Sequence, residues 1–375
     1  MAVRFGEKLQ VEIYGTSHGP CIGVKIWGIP EGWRIDQSVL QDFLNRRAPG
    51  RNAWSTARKE ADQPEFLSGV KPVSDTGQAA EQGAGLAAVL ETTGEPLVCE
   101  IRNTNVRPQD YAKTSVVPRP AHADYPAWVK YGRIESGGGP FSARLTAALC
   151  IAGGICLQQL KTRGIRICAH IASIGPCRDA SLDPMADVPP EISPEFPVID
   201  PAAGEAMKEI IAEVKAAGDS IGGSIECMIC GVPAGAGEPL FGSIESRICQ
   251  TVFAVPAVKG IEFGAGFEVA GMKGSENNDG FVIAEETSGR RRVRTETNRH
   301  GGILGGLASG MPIVFRTAMK PTPSIALPQR SVDLTAMEET ELVVEGRHDP
   351  CIVPRAVPCI EAAAAIAIAD VLLTE

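Results

Sequence analysis

Aromatic residues are scarce, at 5% of the chain, and only five histidines occur in 375 residues. Cations are in deficit. A net charge of −9 argues against nucleic acid as a general partner. The opening MAVRFGEKLQVEIYG has no apolar segment and no small-residue cleavage site, so no signal peptide is expected. The longest apolar runs, LTAALCIAGGICL and AAAAIAIADVLL, fall short of a bilayer's thickness, and the second contains Asp370. Both are expected as buried helices, with no membrane partner. HExxH is missing and no two histidines have ligand-pair spacing, so no metal site is expected. GxxxxGK[ST] and G-x-G-x-x-G are missing too, which removes the usual P-loop and dinucleotide readings. G-x-S-x-G does occur, at Gly15–Gly19 and Gly218–Gly222, but neither copy leads from a strand into a helix, and Ser17 is badly placed to be activated by the adjacent His18, so no hydrolase is expected. No short repeat occurs, which excludes solenoids and propellers.

Eleven cysteines stand at irregular spacings without an export signal, which favours reduced thiols and a cytoplasmic address. Cys227 and Cys230 have C-x-x-C spacing, but they lie in a strand-like run with no second pair, so a structural role is expected.

The glycines and prolines, 41 and 28 of them, are spread through the chain, as in a loop-rich compact enzyme. Alternating stretches LQVEIY and IGVKIWG flank a turn that carries Ser17 and His18. Asp36 can cap a helix running to RRAPG. Further strands are expected at EFLSGV, PLVCEIRN, IRICAHIASIG, GGSIECMICGV, FEVAGM, MPIVFRTAM and ELVVEG. Helices are expected over Ser142 to Thr162, Gly204 to Ala217, Phe241 to Val252 and Ala356 to Leu373. Strands in adjacent pairs, separated by helices apolar nearly all round, predict an α+β fold: a β-α-β sandwich with long helices layered between antiparallel sheets. One domain over 1–375 is expected, with a hint of similar halves.

Four histidines, His18, His122, His300 and His348, stand in Gly/Pro-rich polar loops and suggest a shared site; His170 lies in a strand pattern and reads as a core residue. Arg46, Arg47, Arg51, Arg58 and Lys59 gather on a loop suited to phosphate or carboxylate, and a second cluster holds Arg290, Arg291, Arg292, Arg294 and Arg299. KPTPSI adds a lysine and hydroxyls. Together these point to a multiply anionic, phosphorylated ligand and acid-base chemistry. A binding protein for such ligands remains an alternative.

The motifs GTSHGPCIGV, NRRAPG, RPAHADY, SARLTAA, GDSIGG, GVPAGAGEP, PAVKGIEFG, GSENND, GGILGGLASG, KPTPSI and GRHDPCIVPRAVP follow one another in an order and spacing that resemble the chorismate synthase family over essentially the whole chain. The resemblance implies elimination of phosphate from 5-enolpyruvylshikimate 3-phosphate to give chorismate, with reduced FMN required although there is no net redox change. NADPH would act only indirectly, by reducing the flavin, with an external flavin reductase as one partner. It also implies a homotetramer. His18, beside Ser17, would control flavin protonation, His122 would assist phosphate departure, and Asp349 with Ser142 would serve the ring-hydrogen route. Arg47, Arg119, Arg144 and Arg347 would hold substrate anions. Ser142, Ala257, Gly305, Lys320, Pro321, Thr322, Pro323, Ser324 and Arg347 would contact flavin. An FMN-dependent reductase is the alternative within enzymes. The chain departs from the family pattern at Ala48, Ala53, Pro140, Phe141, Pro323 and Ala121, the last standing where glycine is usual.

Overall fold

The computed structural model describes residues 3–50, 54–55, 60–73, 89–104, 115–285, 289, 291–344 and 348–374. Arg51, Ala53, Arg58, Lys59, Arg290 and Arg347 therefore lie outside the described residues. The architecture mixes helix and sheet.

One five-stranded antiparallel sheet runs in the order Val3–Phe5, Gln10–Gly15, Cys21–Trp27, Leu97–Arg102, Glu65–Ser68. A second, also antiparallel, runs Cys177–Arg178, Arg166–Ile174, Gly223–Cys230, Ile313–Met319, Val258–Phe263. The helices are α1 (Gln37–Arg47), α2 (Asp124–Tyr131), α3 (Thr146–Thr162), α4 (Pro201–Ala216), α5 (Ile244–Val252), α6 (Gly274–Asn277) and α7 (Val353–Thr374). Helix α3 packs on strands of the first sheet, α7 on strands of the second, and the two pack on each other. Their contact is nearly backbone to backbone. A Cβ at Gly153 would lie 2.3 Å from the Cα of Ala362, so only glycine permits this crossing.

Helix starts follow their caps. Asp36 accepts hydrogen bonds from the N–H groups of Ser38 and Val39, as its position before α1 predicts. Helix α4 begins at Pro201, earlier than the expected Gly204, because Asp200 caps it and proline suits the first turn. Ser243 starts α5 later than expected by the same chemistry. Helix α7, and α3 together with its lead-in, have the length and apolarity of a membrane span, more than the short runs suggested, but 89% and 72% of those segments are buried within the protein.

One expected strand is overturned. FEVAGM forms a tight turn of helix, Gly266–Gly271, because Glu262 accepts the Phe267 N–H; Phe267 is exposed. A strand at Val258–Phe263 takes the sheet edge instead. Cys227 joins the main core and Cys230 a separate cluster, so this pair is not poised to join. His170 is fully buried between Asp179 (2.9 Å) and Glu226 (3.1 Å), a satisfied core histidine. In the second arginine cluster, Arg292 and Arg294 close on Asp187 at 2.6 and 2.5 Å, tying the Arg291–Thr295 strand to the 187 loop.

Asp370 has a structural task. Fully buried in α7, its Oδ1 accepts the N–H groups of Glu7, Lys8 and Leu9 at 3.1, 2.9 and 2.8 Å, and its Oδ2 accepts from Arg247 Nη1 at 2.7 Å. Asp370→Asn is expected to cost about 2–3 kcal/mol, since an amide presents donors to donors. Urea unfolding checks it, and a shift within about 0.5 kcal/mol, the range of an ordinary surface substitution, would refute this role for the clamp.

Candidate functional site

A cavity of about 510 Å³ opens where the 119–124 loop, the 136–144 loop, the 253–257 turn, the 320–324 segment and the start of α7 meet. His122, Ser142, Arg47, Arg119, Arg144, Ala257, Lys320, Thr322, Pro323, Ser324 and Asp349 line it, as do His348 and Arg355. Pro140 and Phe141 form part of the wall. Pro321 and Gly305 are not among the lining residues; Gly305 sits in the turn between the strands Ile303–Leu304 and Leu307–Ala308. His300 is held elsewhere, by Asp279 and the Gly302 N–H.

His18 and His122 approach one glycine loop from different residues. A Cβ at Gly137 would lie 2.2 Å from the His18 ring, and one at Gly138 would lie 3.0 Å from the His122 ring, so the loop backbone fills the space between them. Ser17 is buried; its hydroxyl donates to the Gly137 carbonyl at 3.3 Å and lies 3.1 Å from His18 Nδ1. That pairing fixes the imidazole plane. His18 is not itself among the lining residues, whereas Gly137 is.

His122 is oriented from below. Its Nδ1 lies 2.6 Å from Asp124 Oδ1, and Arg119 closes on the same carboxylate through Nε (2.7 Å) and Nη2 (2.9 Å). Burial opposes charge on Asp124, but hydrogen bonds from Arg119 and His122 more than offset it and hold its carboxyl well below the usual range. An ionised Asp124 keeps the proton on Nδ1 and leaves Nε2 for other partners. Arg119 is thus committed to positioning His122, with its Nη1 3.4 Å from Ser324 Oγ. Ala121 precedes this unit at φ +58°, which explains glycine at that place in the family pattern. Its side chain is exposed, so Ala121→Gly is expected to stabilise the fold by about 0.5–1 kcal/mol. A loss of stability in urea unfolding would refute backbone strain at Ala121.

Arg47 and Arg144 share Asp62. Arg47 Nη1 donates to Asp62 Oδ2 at 2.6 Å, Arg144 Nη1 donates to Asp62 Oδ1, and Arg144 also meets Glu60 at 2.6 Å. Burial works against Asp62's charge, yet Arg47 and Arg144 hold its carboxyl below the usual range. Arg355, on the first turn of α7, donates through Nη1 to Asp349 and through Nε to the Arg47 carbonyl at 3.0 Å. Burial pushes Arg144 and Arg355 below the usual guanidinium range, and Arg47 adds repulsion to both. Arg46 points away, closing on Glu361 at 2.6 and 3.0 Å.

Two cavity groups lack protein acceptors, and a third has a weak one. Arg144 Nη2 and Thr322 Oγ1 are buried without a hydrogen-bond partner. Lys320 is half-buried, its ammonium reaching only the Pro321 carbonyl at 3.4 Å, and burial with the nearby Lys259 pushes it below its usual range. Unsatisfied donors around one cavity call for an anionic ligand.

Residues 9–373 match the family model described as chorismate synthase. The chain belongs to the chorismate synthase family. It is an enzyme of the lyase class. The chorismate synthase of Lancefieldella parvula is 43% identical over 99% of this chain and 96% of its own length. That of Thermococcus kodakarensis is 42% identical over 98% of this chain and 97% of its own. A crystal structure of chorismate synthase superposes with a TM-score of 0.70 at 28% identity, covering 99% of this chain and 93% of that one.

Sequence reasoning missed Asp62, Glu60, Asp124 and Arg355, the groups that hold the expected arginines, His122 and Asp349 in place. Asp124 stands in the quoted RPAHADY and Arg355 in GRHDPCIVPRAVP, so both were open to the family comparison. Asp62 and Glu60 carry no such mark.

Proposed function

We propose that this chain catalyses the reduced-FMN-dependent 1,4-elimination of phosphate from 5-enolpyruvylshikimate 3-phosphate to give chorismate, the closing step of the shikimate pathway. The observation that carries the reading is the His122–Asp124–Arg119 unit, set in the same cavity as the unsatisfied donors Arg144 Nη2 and Thr322 Oγ1 and the weakly held Lys320 ammonium. The donor set fits a phosphate-bearing cofactor and a multiply anionic substrate. Ser142, Ala257 and the 320–324 segment would hold the flavin, with Gly305 and Arg347 added by the family pattern. Bound reduced flavin supplies an electron-rich ring that supports C–O and C–H cleavage with no net redox change.

Arg144 and Lys320 attract and orient the substrate's anionic groups. The leaving phosphate gains charge as its bond to carbon breaks, and His122 Nε2 hands it a proton. Asp124 stabilises the imidazolium that precedes this transfer and recovers the neutral tautomer afterwards. Asp349, ion-paired with Arg355, keeps a carboxylate at the cavity wall for the ring-hydrogen route. His18 holds or moves a proton beside the glycine loop, with Ser17 orienting its ring.

The layered sandwich, one domain over 1–375, a homotetramer and a cytoplasmic address belong to the same reading, as do NADPH acting only through flavin reduction and an external flavin reductase as partner. The two antiparallel sheets with α3 and α7 against them support the first, and eleven free cysteines support a reducing compartment.

The test is anaerobic phosphate release from 5-enolpyruvylshikimate 3-phosphate with reduced and with oxidised FMN. Release only with reduced flavin, without stoichiometric flavin oxidation, supports the lyase. Consumption of NAD(P)H with no phosphate released would instead establish a flavin reductase.

A further inference from the structure

Two cysteines lie under the arginine cluster. Cys150 on α3 and Cys359 on α7 place their sulfurs 3.9 Å apart, and both are buried. They face each other at the tight helix crossing, one turn before Gly153 and Ala362. Disulfide bonding length is about 2 Å shorter than this separation.

The two thiols differ in electrostatics. Burial pushes Cys156 and Cys351 up to about 12, and Cys150 also moves up. Cys359 goes the other way: the hydrogen bond from Cys150 outweighs burial, and Arg47, the Thr146 hydroxyl and Arg355 act in the same direction. Both of those arginines line the cavity, and the Cys359 sulfur lies 3.5 Å from the Arg355 carbonyl. A small neutral oxidant in the cavity is therefore one residue layer from this sulfur. Two buried sulfurs 3.9 Å apart, one of them lowered by the charges of Arg47 and Arg355, have the makings of a redox pair.

We propose that Cys359 is a peroxide-reactive thiol and Cys150 its resolving partner, forming a reversible disulfide between α3 and α7 beneath the cavity arginines. The Cys359 thiolate attacks one oxygen of hydrogen peroxide: an S–O bond forms, the O–O bond breaks, and hydroxide leaves, taking up the thiol's proton to become water. The Cys150 sulfur then attacks the Cys359 sulfenic acid. An S–S bond forms, the S–O bond breaks, and a second water carries off the Cys150 proton. Two thiols are oxidised by two electrons, and one peroxide is reduced to two waters.

The full-length protein is treated with a few equivalents of hydrogen peroxide, its remaining thiols are alkylated, and non-reducing peptide mapping follows. The expected result is a linked peptide pair holding Cys150 and Cys359, lighter by about 2 Da and reversed by a thiol reductant. It should form at least roughly tenfold faster than any oxidation at Cys99 or Cys227, buried thiols that burial pushes up. In Cys150→Ser, a dimedone-type probe should trap a sulfenic acid on Cys359. If Cys359 stays reduced while the partly exposed Cys21, Cys177 and Cys249 react, or oxidises no faster than Cys99, the proposal is overturned. The wild-type measurement decides this whether or not the variant folds.

Discussion

Replacing His122 with alanine is expected to lower turnover by roughly 10² to 10⁴ with substrate binding largely kept. The imidazole is held by Asp124, and Asp124 by two nitrogens of Arg119, so the ring is pre-oriented before any ligand arrives. The anion-holding donors Arg144 and Lys320 make no hydrogen bond to His122, which is why binding should survive its loss. Asp124→Asn should reproduce part of the defect, because the carboxylate that fixes the tautomer is gone while the proton donor remains. The readout is kcat and KM for phosphate release, together with their pH profiles. Unchanged turnover in His122→Ala would remove this residue from the mechanism.

Asp62→Ala is expected to destabilise the fold by about 3–5 kcal/mol, because it removes the carboxylate that two buried guanidinium groups share, leaving Arg144 to Glu60 and Arg47 to the neutral Thr146 hydroxyl and Ala143 carbonyl. Arg47 is 3% exposed, Arg144 5% and Asp62 2%, so water cannot take the place of the missing carboxylate. The same pairing sets an acid limit. Asp62's carboxyl is held below its usual range in the fold, so its stabilisation is fully present above the unfolded value of about 3.9 and drains away as pH falls through the folded one. Urea unfolding at pH 7 and at pH 3 should show the gap between wild type and Asp62→Ala narrowing at the lower pH. A gap that stays constant, or widens, would mean that Asp62 acts by packing and not by charge.

Much of the fold was legible because periodicity records burial. The alanine-rich stretches in α3 and α7 read as enclosed helices, and PLVCEIRN reads as a strand whose side chains alternate between environments; LQVEIY and MPIVFRTAM also form strands, although their burial does not alternate strictly. FEVAGM misled because its two large apolar residues mimic alternation, while the turn is set by Glu262 several residues earlier. At the site, loop residues of unusual type stood out: His122, Ser142 and Lys320 do line one cavity. Their supporting carboxylates did not. Asp62 lies 82 residues from Arg144 in sequence, and an acid in a polar loop is ordinary until the fold brings an arginine to it. Glu361 and Asp370 offered a better signal, each a carboxylate inside a buried apolar helix, where a charge needs a partner: Arg46 for one and Arg247 for the other.

The Asp370 clamp also bears on how the chain is made. Its carboxylate and the backbone of Glu7 are separated by 363 residues, so the turn that follows the first strand waits for a residue made 363 positions later. At roughly 5–20 residues per second on a ribosome, that delay is on the order of 20 to 70 seconds. During that time the amide groups of residues 7–9 have no native acceptor. In nascent chains the turn at residues 7–9 should therefore stay unformed until Asp370 has been made.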